Sequence, residues 1–161
     1  MIIQSWSNPC RILLMHEQII RLPAEWEHQS AILLTWPHNN TDWQENIEQV
    51  ETVFIDIARY ISRYQSVIIS CFNETHLQHI EQKLHNAGIP ENQYKLCIAK
   101  SNDSWTRDHG PISVYKNKKP YLLDFTFNGW GNKFPSELDN AITNNLYKKG
   151  VFQSIPIKTI D

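Results

Sequence analysis

An aromatic ring and a carboxylate three residues apart, Trp105 and Asp108, are the residues of this chain best suited to chemistry. They lie in segment 102–111 (NDSWTRDHGP), whose closing Gly-Pro is typical of a loop. An aromatic face stacks on a planar organic cation, and a carboxylate accepts paired, directed hydrogen bonds from a guanidinium. The spacing therefore predicts a guanidinium-binding loop. The alternative is a plain turn, since loops rich in Asp, Asn, Gly and Pro commonly bond their own backbone.

A second loop, at 127–131 (FNGWG), is a candidate for binding the far end of the same ligand. Trp130 suits an aliphatic stem that ends in an amine, and Asn128 offers a polar amide beside it. No residue from Asn128 to Gly131 carries a charge, so the loop has no cation to meet a peptide carboxylate. The alternative interpretation is a glycine-rich turn held in place by a buried tryptophan.

Hydrolysis of a guanidinium at neutral pH requires more than a binding loop. Because its charge is delocalised and its leaving ammonia must be protonated, the reaction needs a strong nucleophile such as a thiolate, and a histidine that shuttles protons. Cys71 and Cys97 lie in predicted buried strands, where a thiol behaves as a small hydrophobe. Cys10 lies near the N-terminus. We therefore expect none of the three cysteines to be the nucleophile.

The predicted elements around these loops alternate between strands and helices. Strands are predicted at 31–36, 66–71, 94–99, 112–115, 120–125 and 151–157. Helices are predicted from Thr41 or Asp42 to about Tyr64, from about 73 to 86, and from 138 to 149. The alternation predicts an α/β fold, in which the strand at 94–99 leads into the loop of Trp105 and Asp108.

Composition excludes several classes of protein. The 161 residues are 41% hydrophobic and 20% charged with a net charge of −2, which indicates a globular domain without the basic patch of a nucleic-acid-binding protein. No apolar run approaches the roughly 20 residues that span a bilayer, and the N-terminus is a poor signal peptide. With no CxxC pair among its cysteines, the chain is expected to be cytoplasmic, with no membrane partner.

Metal binding is the other chemistry that the residue types suggest. His76 and His79 lie three residues apart on a predicted helix, but no third ligand is evident nearby. We expect them to be surface residues, and we expect no metal and no cofactor.

Four segments together resemble one family. They are 21–27 (RLPAEWE), 35–38 (TWPH) with Trp43 shortly after, 103–111, and 124–133 (DFTFNGWGNK). In this order and at these intervals they resemble the first half of the agmatine deiminases, which belong to the Porphyromonas-type peptidylarginine deiminase family of the guanidino-group-modifying superfamily. Residues 1–20 lie outside the resemblance and form an extension that could reflect a true start at Met15.

The resemblance implies a fold and a state of assembly. Members of the family are five-bladed α/β propellers (penteins) built from ββαβ modules around a central active site. Residues 21–161 would be the N-terminal half of such a catalytic domain and supply about two blades. Sheet edges left open in a partial propeller are prone to association. The expected partners are therefore a complementary C-terminal half or further copies of the chain.

The resemblance also implies an activity, a C–N hydrolase reaction on a linear amidine that converts agmatine and water to N-carbamoylputrescine and ammonia, a step towards putrescine. Asp108 would be the catalytic carboxylate that accepts hydrogen bonds from two guanidinium nitrogens. Trp105 would stack on the guanidinium, while Asn128 and Trp130 would contact the rest of the substrate.

Other residues of these segments are expected to support the site. Asp103 is expected to anchor the loop by accepting backbone N–H groups. If the loop is extended, Arg107 points to its other side and is expected to pair with a structural carboxylate. His38 is expected near the pocket rim, and His109 is a candidate for its lining.

The family's remaining motifs are Glu-Gly-Gly, His-x-Asp and a nucleophilic cysteine near the C-terminus, and none of them occurs in this sequence. We therefore expect the chain alone to be inactive. The alternatives are a peptidylarginine deiminase-type enzyme, or a non-catalytic remnant that binds guanidines or another protein.

Overall fold

The computed structural model describes residues 19–152 and 155–161, which form two β-sheets and the helices packed against them. The strands are β1 (Ile20–Arg21), β2 (Ala31–Thr35), β3 (Ser66–Cys71), β4 (Tyr94–Ile98), β5 (Ile112–Lys116), β6 (Lys119–Phe125) and β7 (Ile157–Ile160). The helices are α1 (Ile47–Ile61), α2 (Glu74–Asn86), α3 (Thr106–His109), α4 (Gly129–Asn132) and α5 (Glu137–Lys148). The predicted α/β class is confirmed. Most of the predicted extension, with Cys10 and Met15, lies outside the described residues.

A parallel sheet in the order β2-β3-β4 is buried on both faces. Its strands are short apolar runs without strict alternation, which is the pattern of strands covered on both sides. On one face the core includes Trp36, Ile69, Ile80 and Leu84, so α1 and α2 pack there. On the other face Cys97 and Ala99 pack with Ile142 and Leu146 of α5.

The second sheet has the order β1-β5-β6-β7, with β7 parallel to β6 and the other pairs antiparallel. Asn117 and Lys118 join β5 to β6 with φ angles of 51° and 66°. Two successive residues with positive φ form a type I′ turn, whose twist matches that of the two strands it joins. The predicted hairpin around the lysine-rich turn is therefore confirmed.

Two predicted elements are corrected by the structure. The first helix begins at Ile47, after a 3₁₀ turn at Gln44–Asn46, and not at Thr41. Thr41 is buried, and its hydroxyl donates to the His38 carbonyl at 2.7 Å, so it closes a turn instead of capping a helix. The last strand is Ile157–Ile160, not 151–157, because its register is set by pairing with β6. No helix among the described residues is long and apolar enough to cross a membrane.

A buried carboxylate ties α1 to α2. Glu51 accepts hydrogen bonds from Trp36 Nε1 at 3.0 Å, His79 Nε2 at 2.9 Å and Lys83 Nζ at 3.0 Å. Burial disfavours its ionised form, but the bonds from Trp36 and Lys83 and the nearby His79 outweigh that effect and lower the pKa of Glu51. This contact fixes the helices that cover one face of the parallel sheet.

Candidate functional site

Trp105 and Asp108 lie on the same short helical turn. Trp105 is the residue before α3, and the Asp108 amide donates to the Trp105 carbonyl at 3.0 Å. Trp105 itself has non-helical φ and ψ angles of −80° and 64°. Trp105 is 45% exposed and Asp108 is also exposed. Both side chains are therefore accessible to a ligand at the start of the same short helix.

The indole of Trp105 is held by its neighbours. Its Nε1 donates to Asp103 Oδ2 at 2.9 Å, and Asp103 Oδ1 accepts the Ser104 amide at 2.7 Å. Trp43 donates from Nε1 to Ser104 Oγ at 2.8 Å, and its ring lies 6.0 Å from that of Trp105. The expectation that Asp103 anchors this loop is confirmed, and Trp43 is a second support that the residue pattern alone did not identify.

The second loop carries Trp130 on a left-handed turn, α4. Four consecutive residues from Gly129 to Asn132 have φ angles between 53° and 81°. Asn128 closes the turn, since its Oδ1 accepts the Gly131 amide at 2.9 Å, so its Nδ2 group is the donor that remains for a ligand. Trp130 stands perpendicular to Trp105 with their centroids 6.3 Å apart. It is 42% exposed and is therefore not the buried tryptophan of the alternative interpretation.

The left-handed turn is costly for side chains and needs compensation. At Gly129 only glycine fits, because φ is 59° and a Cβ would overlap the Phe134 carbonyl oxygen. Trp130 costs about 1–2 kcal/mol in this conformation, whereas an asparagine such as Asn132 adopts it more readily. Edge-to-face contacts of Trp130 with Phe127 at 4.9 Å and Phe134 at 5.6 Å offset part of that cost, since such pairs contribute about 0.5–1.5 kcal/mol. The aromatic cluster thus fixes Trp130 beside Trp105.

A reciprocal cap joins the first loop to the start of α5. Asn102 Oδ1 accepts the amides of Leu138 at 2.8 Å and Asp139 at 3.3 Å. In return, buried Asp139 accepts the amides of Asn102 at 2.8 Å and Asp103 at 3.3 Å. Burial raises the pKa of Asp139. The arrangement is a capping box made by two distant segments, and nothing in the local sequence of either segment indicates it.

Asp108 is flanked by two residues that both bind Thr35 at the end of β2. Thr106 Oγ1 accepts the Thr35 amide at 2.8 Å and donates to Thr35 Oγ1 at 2.9 Å. His109 Nε2 lies 3.3 Å from the same hydroxyl. His109 is 2% exposed, so it supports the loop from below and does not line an open pocket as expected. Burial lowers the pKa of His109 to about 4.

We expect Thr35→Val to lower the free energy of unfolding by about 2–4 kcal/mol. Valine keeps the shape but removes the acceptor of the Thr106 O–H and the partner of the buried His109 Nε2, at about 1–3 kcal/mol each, while Thr106 Oγ1 still accepts the backbone amide of residue 35. Thr35→Ser, which keeps the hydroxyl, should retain most of the stability. Urea denaturation measures both, with Thr159→Val on exposed β7 as the matched control. A Thr35→Val protein within 0.5 kcal/mol of the wild type, a margin typical of neutral surface changes, would contradict this role.

His38 and His76 have structural roles. His38 is buried and bonds Ser101 Oγ at 3.1 Å, so it does not lie at an exposed rim. His76 is half-buried between the Phe72 amide and the Pro37 carbonyl, at 3.0 and 3.1 Å, and the expectation that it is a surface residue is wrong. Burial, reinforced by nearby His38, lowers the pKa of His76 to about 4. Within residues 19–152 and 155–161, no cluster of three or more His, Cys, Asp or Glu side chains could hold a metal ion.

The structure corrects the prediction for Arg107 and confirms the predicted burial of Cys71 and Cys97. Arg107 is exposed and forms no ion pair within the described part of the chain. The prediction that it pairs there with a structural carboxylate is therefore wrong. Cys71 and Cys97 are buried as predicted. Burial raises the pKa of Cys71 to about 12 and also raises the pKa of Cys97, so neither thiol is ready to ionise.

Known proteins are similar to this chain in sequence and in fold. Agmatine deiminase of Stutzerimonas stutzeri is 28% identical over 113 residues, which are 70% of this chain and 29% of that protein. The Medicago truncatula enzyme is 29% identical over 119 residues, covering 68% of this chain and 30% of its own length. The structure of C. jejuni agmatine deiminase with substrate bound superposes with a TM-score of 0.79 at 30% identity, covering 92% of this chain and 42% of that one.

The chain therefore spans about three tenths of the length of these curated relatives and about two fifths of the solved structure. The sequence profile of the Porphyromonas-type peptidyl-arginine deiminases matches residues 21–160, which include every residue of the two loops. The chain belongs to the Porphyromonas-type peptidyl-arginine deiminase family.

Proposed function

We propose that this chain supplies the guanidinium-binding part of an agmatine deiminase site, in which agmatine and water give N-carbamoylputrescine and ammonia. The observation that carries the proposal is the exposed pair of Trp105 and Asp108 on one helical turn, with the indole edge fixed by Asp103. The agmatine deiminases among the relatives support the same reaction class. Putrescine formation and a cytoplasmic location belong to the proposal.

The pair can orient a guanidinium in two ways at once. The Asp108 carboxylate would accept hydrogen bonds from two of its nitrogens and so fix its in-plane rotation. The Trp105 indole would cover one face of the plane through a cation–π contact. The opposite face of the central carbon would then stay open to attack, and this restriction of geometry lowers a barrier when a nucleophile is present.

The second loop favours agmatine over peptidyl-arginine. Trp130 presents an exposed ring beside Trp105 and suits the four-carbon stem of agmatine. The segment from Asn128 to Gly131 carries no positive charge that would hold a peptide carboxylate. A peptidylarginine deiminase-type activity is therefore the second candidate and rests on the family alone.

The nucleophile would have to come from outside the described residues. Cys71 and Cys97 are buried in strands with raised pKa values, and neither lies on the loops that carry Trp105 and Trp130. We propose that the 161-residue chain binds agmatine without turning it over, and that these residues belong to a five-bladed propeller whose other parts complete the site. The unpaired edges of β2, β4 and β7 within the described sheets are where a complementary segment or a further copy would add.

Agmatine binding by the purified chain tests this function. A stacked cation and a pair of charge-assisted hydrogen bonds together give an expected dissociation constant on the order of 1 mM. Titration followed by the Trp105 indole N–H signal in NMR should show agmatine binding roughly tenfold more tightly than the dipeptide Gly-Arg, since no cation meets the peptide carboxylate.

The same samples should release no ammonia above the buffer background. Equal affinity for Gly-Arg would count against the agmatine assignment. Ammonia release that disappears in Cys71→Ser or Cys97→Ser would show that a buried thiol acts as the nucleophile. The proposal that this chain binds agmatine without hydrolysing it would then be wrong.

A further inference from the structure

His38 contacts the guanidinium loop (102–111) at the residue that precedes it. Its Nε2 lies 3.1 Å from Ser101 Oγ, although the two residues are 63 positions apart in sequence. His38 is 6% exposed and Ser101 3%, so water does not compete for this contact. His38 therefore ties the segment that follows β2 to the start of the loop that follows β4.

The hydrogen bonds of His38 determine its tautomer. The Asn40 amide lies 3.2 Å from Nδ1, and a backbone amide can only donate, so Nδ1 accepts and carries no proton. The proton of the neutral ring is therefore on Nε2, which donates to Ser101 Oγ. Burial lowers the pKa of His38, which favours the neutral ring at pH 7. One ring nitrogen thus closes a turn and the other reaches the loop.

The backbone of His38 also organises the turn that carries Trp43. Its carbonyl accepts the Thr41 amide at 2.9 Å and the Thr41 hydroxyl at 2.7 Å. Two residues further on, Trp43 Nε1 donates to Ser104 Oγ at 2.8 Å, and the Trp43 ring lies 6.0 Å from the ring of Trp105. His38 therefore acts on the guanidinium loop at a second point in addition to its direct contact.

The far side of Trp105 is held by the same short segment. Thr35, three residues before His38, bonds the Thr106 hydroxyl through both its amide and its own hydroxyl. Trp105 therefore lies between two fixed points, Ser101 and Thr106. Side chains that contact a ligand are effective only when their supports hold them close to the productive geometry. Release of the loop at Ser101 would leave Trp105 held on one side only.

We propose that His38 is a positioning residue of the guanidinium site, whose Nε2–H holds Ser101 and so fixes the place of Trp105. His38 is buried and is not expected to touch the ligand itself. The inference rests on the proposed function for the identity of the ligand, agmatine. Its effect on Trp105, however, is measurable in the chain without ligand.

Two substitutions separate the roles of the two ring nitrogens. In His38→Gln the amide nitrogen lies as many bonds from the backbone as Nε2, so it can still donate to Ser101. In His38→Asn the amide oxygen takes the place of Nδ1, so it can still accept the Asn40 amide but does not reach Ser101. Loss of a neutral hydrogen bond shifts an equilibrium by roughly two- to tenfold. We therefore expect His38→Asn to weaken agmatine binding about threefold or more, and His38→Gln to stay within about twofold of the wild type.

Ser101→Ala tests the same contact from the loop side. It should weaken agmatine binding about as much as His38→Asn, and the double variant should bind within about twofold of either single variant, because both changes remove one interaction. His85→Asn, on the exposed side of α2, is the control and should leave the affinity within about twofold of the wild type. Circular dichroism verifies that each variant is folded, and Ser101→Ala decides the matter if His38→Asn does not fold.

NMR spectra without ligand separate this inference from the proposed function. His38→Asn and Ser101→Ala should shift the Trp105 indole N–H signal, and His38→Gln should leave it close to its wild-type position. If the wild type binds no agmatine, the proposed function fails and these signals still decide the role of His38.

Two results would overturn the positioning role. His38→Asn with wild-type affinity and a wild-type indole signal would limit His38 to closing the turn with Asn40. His38→Gln as weak as His38→Asn would assign the effect to packing of the imidazole on Phe72, whose ring centroid lies 4.3 Å away, and not to the Nε2–H group.

Discussion

When the pH falls from 7 to 5, the free energy of unfolding is expected to fall by about 2 kcal/mol through His109 alone, whose pKa lies at about 4. His109 is buried against Thr35, where the neutral ring is favoured. An unfolded histidine has a pKa of about 6.5. Between these two values the unfolded chain binds a proton that the folded chain does not bind. Stability is therefore complete above pH 6.5 and declines towards pH 4, by about 1.4 kcal/mol per pH unit.

Other groups add to this dependence or oppose it. Half-buried His76, with its pKa also at about 4, acts in the same direction. Burial raises the pKa of Asp124 and Asp139, so the folded chain holds their protons more tightly and their contribution has the opposite sign. Glu51, whose pKa is lowered, loses its contribution only at more acidic pH. A comparison of variants therefore isolates the effect of each histidine.

Urea denaturation at pH 7 and pH 5 measures the effect. The difference in unfolding free energy between the two pH values should shrink by about 2 kcal/mol in His109→Asn, which has no titratable ring. His85→Asn, on the exposed side of α2, serves as the control and should leave the difference unchanged. If His109→Asn showed the full wild-type difference, the buried neutral histidine would have no part in acid sensitivity.

Asp108→Asn is expected to weaken agmatine binding at least tenfold. Hydrogen bonds to a charged group contribute about 1.5–3 kcal/mol, and asparagine keeps the size of the side chain while losing the charge. Trp105→Phe should cost less, since a phenyl ring retains part of the cation–π attraction. With a wild-type dissociation constant on the order of 1 mM, the Asp108→Asn titration should not reach saturation at accessible agmatine concentrations.

Glu91→Gln provides the control for Asp108→Asn. It removes one exposed carboxylate from the 3₁₀ turn before β4, at the opposite end of that strand from the guanidinium loop. The affinity should remain within twofold of the wild type, because screening by salt makes a distant surface charge unimportant. Asp108→Asn binding as tightly as the wild type would remove Asp108 from the site.

Five of the described strands, β2 to β6, and the two loops could be predicted from the sequence because their signals are local. The apolar run at 66–71 matches β3 residue for residue, and the segment of Trp105 and Asp108 follows β4 as predicted. The prediction for Arg107 failed because it assumed an extended loop, whereas residues 106–109 form a helical turn.

The supports of the site could not be predicted because they are distant in sequence. Thr35 and Thr106 are 71 residues apart, and Asn102 and Asp139 are 37 apart. Neither partner carries a local signal of the other. The left-handed turn could be predicted only in part. Gly129, Gly131 and Asn132 permit positive φ angles, but the surrounding aromatic rings are needed to select that conformation.

The reciprocal cap between Asn102 and Asp139 also links the flexibility of two regions. Each side chain satisfies backbone amides of the other segment, so neither segment can open without exposing unpaired groups in both. The first turn of α5 and the guanidinium loop should therefore open together as a single local unfolding unit. Amide hydrogens at Asn102, Asp103, Leu138 and Asp139 would exchange with solvent at a common free energy. A substitution in α5 could loosen the guanidinium loop without touching it.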